Sequence, residues 1–263
     1  MAAPNFDKPR DLLVKGDRTG AIKLLKASYR DSAKDQAEIG AAWREMAEMF
    51  LSDKGQNQFS LAEASWMTKP KEAADILLPI LKSEDGNLAV ARLGARSSLR
   101  AGDCPRADIF VQQAELTYPI GADVKLLRLQ VQDCLNGSNA GAPALKVSSD
   151  GDWSEFDSAL RLLVVKDAAR RKDLKAARAA LVAWETQAAE DPEFWYWKWR
   201  MSREGVRENG PEASRDRTAA RKYLRICRDL TPRRRKNFAM YPELCLYTET
   251  VESDLKSSEK SGS

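Results

Sequence analysis

Apolar residues recur along this chain at steps of three and four, the period of one face of an α-helix. Alanine, leucine, lysine, arginine and glutamate fill most positions between them, and all five favour helix. Within that background one spacing occurs twice. Ala107, Val111, Ala114 and Pro119 follow one another at steps of 4, 3 and 5, and Ala220, Leu224, Cys227 and Pro232 repeat those steps. Small residues let a neighbouring helix approach, the large one fills the groove, and the proline ends the helix. The pattern predicts the second helix of a tight helix pair. Strand signals are scarce. The aromatic segment Phe194 to Trp199 follows Asp191-Pro192-Glu193, a helix start, and is read as helix.

Matching the first small alanine of each such helix gives anchors at Ala21, Ala74, Ala107, Ala177 and Ala220, with gaps of 53, 33, 70 and 43 residues. A gap of 33 is close to one helix–turn–helix unit and a gap of 70 to two. The anchor missing from the long gap falls near Ala142, inside the glycine, serine and asparagine cluster 136–143, which reads as loop. A shared turn supports the alignment. Gly16-Asp17, Gly102-Asp103 and Lys172-Asp173 precede their anchors by the same offset. Glycine suits the left-handed end of a first helix, and aspartate caps the second. The expected fold is all-α, an α-solenoid of antiparallel helix pairs in a right-handed superhelix of ten to twelve helices. Residues 1–135 and 154–250 carry the helical repeats, 136–153 is a linker or degenerate repeat, and 251–263 is a polar, flexible tail.

These residues resemble the tetratricopeptide repeat family. The resemblance runs from about 50 to 235 and is carried best by 88–121 and 158–192. The chain departs from the family pattern in three places. The small residue of the first helix is Ala95 in one unit and Val165 in the next, the last turn is lengthened through Glu208 to Pro211, and 56–70 fits no repeat. The resemblance implies a concave groove lined by first helices. It would place Arg92 and Arg96 of one unit, and Leu162 and Lys166 of another, against a peptide. Arg100 and Arg170 follow one turn further on. A basic groove of this kind suits an acidic segment or a C-terminal carboxylate.

Charge adds a second candidate surface. Residues 1–150 are neutral overall, with 20 basic and 20 acidic side chains, so the net +4 of the chain arises after them. It concentrates in Arg221, Lys222, Arg225, Arg228, Arg233, Arg234, Arg235 and Lys236, which Asp229 alone interrupts. The run reads either as a solvated helix end or as a patch for an acidic protein, an anionic polymer or a membrane surface. Nucleic acid is disfavoured because no recognition motif accompanies the charge. The aromatic group Trp184, Phe194, Trp195, Tyr196, Trp197 and Trp199 reads as core between stacked helices, or as a platform for a glycan or peptide.

Histidine is absent, which removes the commonest general base and metal ligand. Phosphate-binding and dinucleotide-binding glycine loops are also missing. Carboxylates such as Glu45, Glu48, Asp152 and Glu155 lie in no recognisable catalytic setting. Neither a catalytic residue, a metal nor a cofactor is expected, and no apolar run is long enough to span a membrane.

Cys104, Cys134, Cys227 and Cys245 allow two readings. They are small buried hydrophobes, a role that fits Cys227 in its packing slot. Alternatively they form two local disulfides, Cys104 with Cys134 and Cys227 with Cys245, which would imply an oxidising compartment. An Ala-Ala-Pro start fits a periplasmic or secreted protein whose leader has been removed, with a cytoplasmic protein as the alternative. The expected function is a non-catalytic protein-binding scaffold or adaptor in an extracytoplasmic bacterial assembly. The alternative is a module that binds an anionic or glycan polymer through 221–236 and the tryptophans. The partner and the oligomeric state are not written in the sequence.

Overall fold

The computed structural model describes residues 4–147, 153–204, 211–238 and 240–260, the side chains of 211–216, 236 and 258–260 excepted. Among these residues the chain is all-α. It divides into two compact units, one built on residues up to Leu135 and the other on those from Asn136.

The first unit holds α1 (Asp7–Val14), α2 (Arg18–Asp31), α3 (Gln36–Glu48), α4 (Asp53–Ser65), α5 (Pro70–Ser83), α6 (Leu88–Arg100), α7 (Cys104–Thr117) and α8 (Ala122–Asn136). Neighbouring helices pack in succession, and α3 also meets α6. The second unit holds α9 (Asp157–Arg170), α10 (Leu174–Glu185), α11 (Pro192–Arg203), α12 (Pro211–Arg228), the single turn α13 (Pro232–Arg235) and α14 (Thr248–Lys260). Short 3-10 turns at Ser154–Phe156 and Lys236–Phe238 complete it. The fourteen α-helices among the described residues exceed the ten to twelve expected. The difference comes from α4, which overlaps the stretch 56–70 that fitted no repeat, and from α13 and α14.

All five anchor alanines are fully buried: Ala21, Ala74, Ala107, Ala177 and Ala220. Their lack of side-chain bulk is what lets the paired helix approach. Gly94 extends the same logic on α6. A Cβ there would lie inside the van der Waals shell of the Phe110 ring on α7.

The three shared turns also adopt one geometry. Gly16, Gly102 and Lys172 all have positive φ, at 82°, 74° and 60°. The next residue reaches back over the helix end, with Asp17 N–H donating to Leu12 O, Asp103 N–H to Ser98 O and Asp173 N–H to Ala168 O. Each aspartate side chain then accepts from the backbone N–H three residues on, at Gly20, Arg106 and Ala176. One local code therefore builds three helix–turn–helix corners.

Both cysteine pairs are bridged. Cys104 and Cys134 join the start of α7 to the end of α8 with Cα atoms 5.7 Å apart, and Cys227 and Cys245 join α12 to the segment before α14 at 5.8 Å. Cys227 also keeps its buried packing slot, so its two sequence readings are compatible.

The segment read as a flexible tail from 251 is helical as far as Lys260, and 261–263 lie outside the described residues. Val251 on α14 is fully buried, α14 packs against α12, and Arg203 pairs with Asp254. The few apolar residues of this polar stretch share a face, which is enough to dock a helix. Between α8 and the second unit's helices, 137–147 contain no helix. The lengthened turn at 208–210 lies outside the described residues.

Candidate functional site

Helix α6 begins at Asn87, whose Oδ1 accepts from Ala89 N–H and Val90 N–H while its Nδ2 donates to the carbonyls of Glu48 and Met49. One side chain thus caps α6 and fixes its start against the end of α3. Arg92, Arg96 and Arg100 follow at four-residue steps and share one face.

Their surroundings differ. Arg92 Nη1 meets Asp123 Oδ2 at 2.6 Å and Glu48 Oε1 at 3.0 Å. Arg44 on α3 closes the ring, 3.2 Å from Glu48 and 3.5 Å from Asp123. Arg100 donates from Nε to Met67 O at 2.8 Å. Arg96 has no ion pair or hydrogen bond to any described residue, and its Nε is buried without an acceptor. Burial, reinforced by the positive charge of Arg92 and opposed by Asp123, pushes its guanidinium down to about 10. Three arginines here share two carboxylates, so the cluster carries an excess positive charge. The side chain of Arg96 is partly accessible.

The groove residues expected from the second unit are engaged elsewhere. Leu162 is buried core. Lys166 Nζ pairs with Glu243 Oε1 at 2.6 Å. The Arg170 side chain is 4% exposed, pairs with Asp167, and donates to the carbonyls of Asn139, Ala142 and Pro143. It holds the 137–147 segment against α9 and leaves little guanidinium for a partner.

The basic run offers the opposite situation. Arg221, Arg225, Arg228, Arg233 and Arg235 are exposed. Arg234 pairs with Glu190 at 3.2 Å, Arg228 lies 3.7 Å from Asp229, and Arg235 Nε donates to Leu230 O. Arg225 and Arg233 have no carboxylate within ion-pair distance among the described residues, and the Lys236 side chain lies outside them. The aromatic group is mostly core: Trp184, Phe194, Tyr196, Trp197 and Trp199 are buried. Trp195 is half-exposed, but Lys222 and Lys198 sit over its ring at 4.1 and 5.1 Å from the centroid. Ammonium groups therefore occupy the ring where a sugar or base would stack.

A further group escaped sequence reasoning. Asp191 caps α11 and accepts from the Tyr241 hydroxyl at 2.7 Å. Glu193, two residues on, is fully buried; its Oε1 accepts from Cys245 N–H at 3.0 Å and its Oε2 has no partner. Burial pushes Asp191 up to about 6 and Glu193 up to about 8, the latter helped by the negative charges of Glu243 and Asp191 and opposed by Lys166. Perturbed carboxyls often mark catalytic sites, but these two are covered by α9, α12 and 241–247. The Asp191-Pro192-Glu193 triplet signalled only a helix start. The tyrosines that cover it lie about fifty residues away in sequence.

Comparison of the chain with models of known protein families, with characterised proteins and with solved structures gives no match.

Proposed function

We propose that this protein is a non-catalytic protein-binding scaffold, an α-solenoid of tetratricopeptide-like helix pairs that receives a carboxylate of a partner on Arg96. The observation that carries the reading is the unpartnered guanidinium. A partly buried cation with its Nε desolvated and two like charges beside it is unfavourable until an anion joins it. A carboxylate accepts two parallel hydrogen bonds from a guanidinium, which suits an acidic peptide segment or a C-terminal carboxylate. Arg92 and Arg44, held by Glu48 and Asp123, add positive potential around the spot. The two disulfides support an oxidising compartment such as the periplasm.

The test is fluorescence anisotropy with a labelled aspartate- and glutamate-rich peptide bearing a free C-terminus. Arg96→Ala is expected to weaken binding about tenfold or more, the loss of a charge-assisted hydrogen-bonded pair. Unchanged affinity in Arg96→Glu removes the site from consideration.

A second reading rests on the exposed arginines of α12 and α13. Five exposed arginines spread over fifteen residues of sequence suit an extended polyanion rather than one carboxylate. Binding to heparin, used as a probe, is expected to fall steeply with salt. The double variant Arg225→Glu/Arg233→Glu is expected to abolish it and leave the peptide titration intact.

A further inference from the structure

The segment 241–247 between α13 and α14 is not a helix, yet it is tied down along its whole length. Cys245 is bonded covalently to Cys227 on α12. The Tyr241 hydroxyl donates to Asp191, and Glu243 pairs with Lys166 on α9. Cys245 N–H donates to Glu193, and Tyr247 N–H donates to the Tyr223 hydroxyl on α12. The Tyr247 ring stacks on Tyr196 of α11, with centroids 4.4 Å apart and planes within 11°. Cys245 has φ of 56°, a left-handed conformation that a non-glycine residue adopts at a cost. The segment is a strap across the start of α11, and Glu193 lies directly beneath it.

We infer that 241–247 form a proton-controlled strap: loss of the Glu193 proton lifts the strap from α11 and uncovers Tyr196, while the Cys227–Cys245 bridge keeps the lifted segment tethered. The geometry leaves the ionised carboxylate few alternatives. Glu193 Oε2 has no donor, and the charged or titratable groups that face Glu193 do not favour an anion. Asp191 at the α11 cap and Glu243 on the strap are acids. Tyr196 on α11, Tyr223 on α12, and Tyr241 and Tyr247 on the strap are phenols held neutral by burial. Among the described residues Lys166 on α9 is the single cation that acts on Glu193, and Glu243 already pairs with it. A charge in that position needs water. The other walls are α9, α11 and α12, whose backbones are hydrogen-bonded turn by turn, so the non-helical strap is the wall that yields. Buried neutral carboxyls are stable only while protonated, which couples strap closure to uptake of one proton. The inference is independent of the Arg96 reading, because Arg96 belongs to the other unit.

Hydrogen exchange of the full-length, oxidised protein tests it, with protection factors corrected for the intrinsic pH dependence. In the wild type, protection across 241–247 is expected to fall about tenfold per pH unit from about pH 6 to about pH 8, the slope of a one-proton linkage. Protection across 88–100 should stay level. Glu193→Gln keeps the size and the acceptor but cannot ionise, so its strap protection should be flat. Glu243→Gln removes a neighbouring negative charge and a competitor for Lys166, so the fall should shrink. A wild-type strap whose protection does not change with pH overturns the inference, as does an equal fall in wild type and Glu193→Gln. Should Glu193→Gln not fold, the wild-type and Glu243→Gln slopes decide: a flat wild type, or equal slopes in the two proteins, overturns it.

Discussion

The Tyr241 hydroxyl donates to Asp191 Oδ2 at 2.7 Å in the interior of the second unit, joining residues fifty positions apart. Tyr241 is fully buried and Asp191 nearly so. Tyr241→Phe keeps the ring and deletes the donor. The carboxyl then loses a partner that favours its charged form, so the Asp191 pKa should climb further. The variant should lose about 1–3 kcal/mol of stability, the cost of leaving a buried polar group unsatisfied. Urea titrations of the two proteins near neutral pH check this. Equal midpoints would mean that Asp191 is already solvated in the folded protein.

The same region makes stability fall as pH rises. Asp191 is raised from an ordinary 3.8 to about 6, and Glu193 from 4.5 to about 8. Each binds its proton more tightly folded than unfolded, so the stability it contributes is full below the unfolded value and is lost on the way up to the folded one. The windows are about pH 4 to 6 for Asp191 and about pH 4.5 to 8 for Glu193. Five of the seven tryptophans belong to the second unit, so tryptophan fluorescence reports its unfolding. The expected result is a midpoint that declines from weakly acid to weakly alkaline pH, with most of the decline above about pH 6 absent in Glu193→Gln.

The helix-pairing code was legible because it is local. Ala21, Ala107 and Ala177 each sit four residues after an aspartate cap, and spacing alone locates all three. Helix α14 was missed because Val251 is a single strong anchor among polar neighbours, and only contact with α12 gives it meaning. The engagement of Arg170 was hidden for a related reason. Sequence shows that Arg170 shares a face with Lys166 but not that three carbonyls of the 137–147 segment fold back to meet it. Arg96 differs from Arg92 only in lacking a carboxylate within reach, and that is set by where α3 and α8 lie against α6. Glu193 carries no local signal of burial beyond the aromatics around it.

Lys172 occupies the slot that glycine fills in the two equivalent turns. Its φ of 60° is left-handed, as are those of Gly16 and Gly102. A side chain there costs about 1 kcal/mol relative to glycine, partly offset by glycine's greater freedom in the unfolded chain. Lys172→Gly should therefore raise stability by a few tenths to about 1 kcal/mol, whereas Gly102→Ala should lower it by about 1 kcal/mol. Thermal melts of both variants check the pair. A destabilised Lys172→Gly would show that the lysine makes a compensating contact.

Arg170 gives the prediction most specific to this fold. Its guanidinium pairs with Asp167 and donates to the carbonyls of Asn139, Ala142 and Pro143, so one side chain closes the 137–147 segment onto α9. Arg170→Ala removes every one of those donors. Asp167 keeps Arg171, 3.0 Å away, so the carboxylate is not stranded and the helix should survive. The three carbonyls face solvent readily once released, and the expected effect is local opening rather than global unfolding. Lys146 lies in the released segment and is exposed. Limited trypsin digestion should cut after Lys146 faster in Arg170→Ala than in wild type, while far-ultraviolet circular dichroism stays the same. Equal cleavage rates would show that the segment is held by contacts other than Arg170.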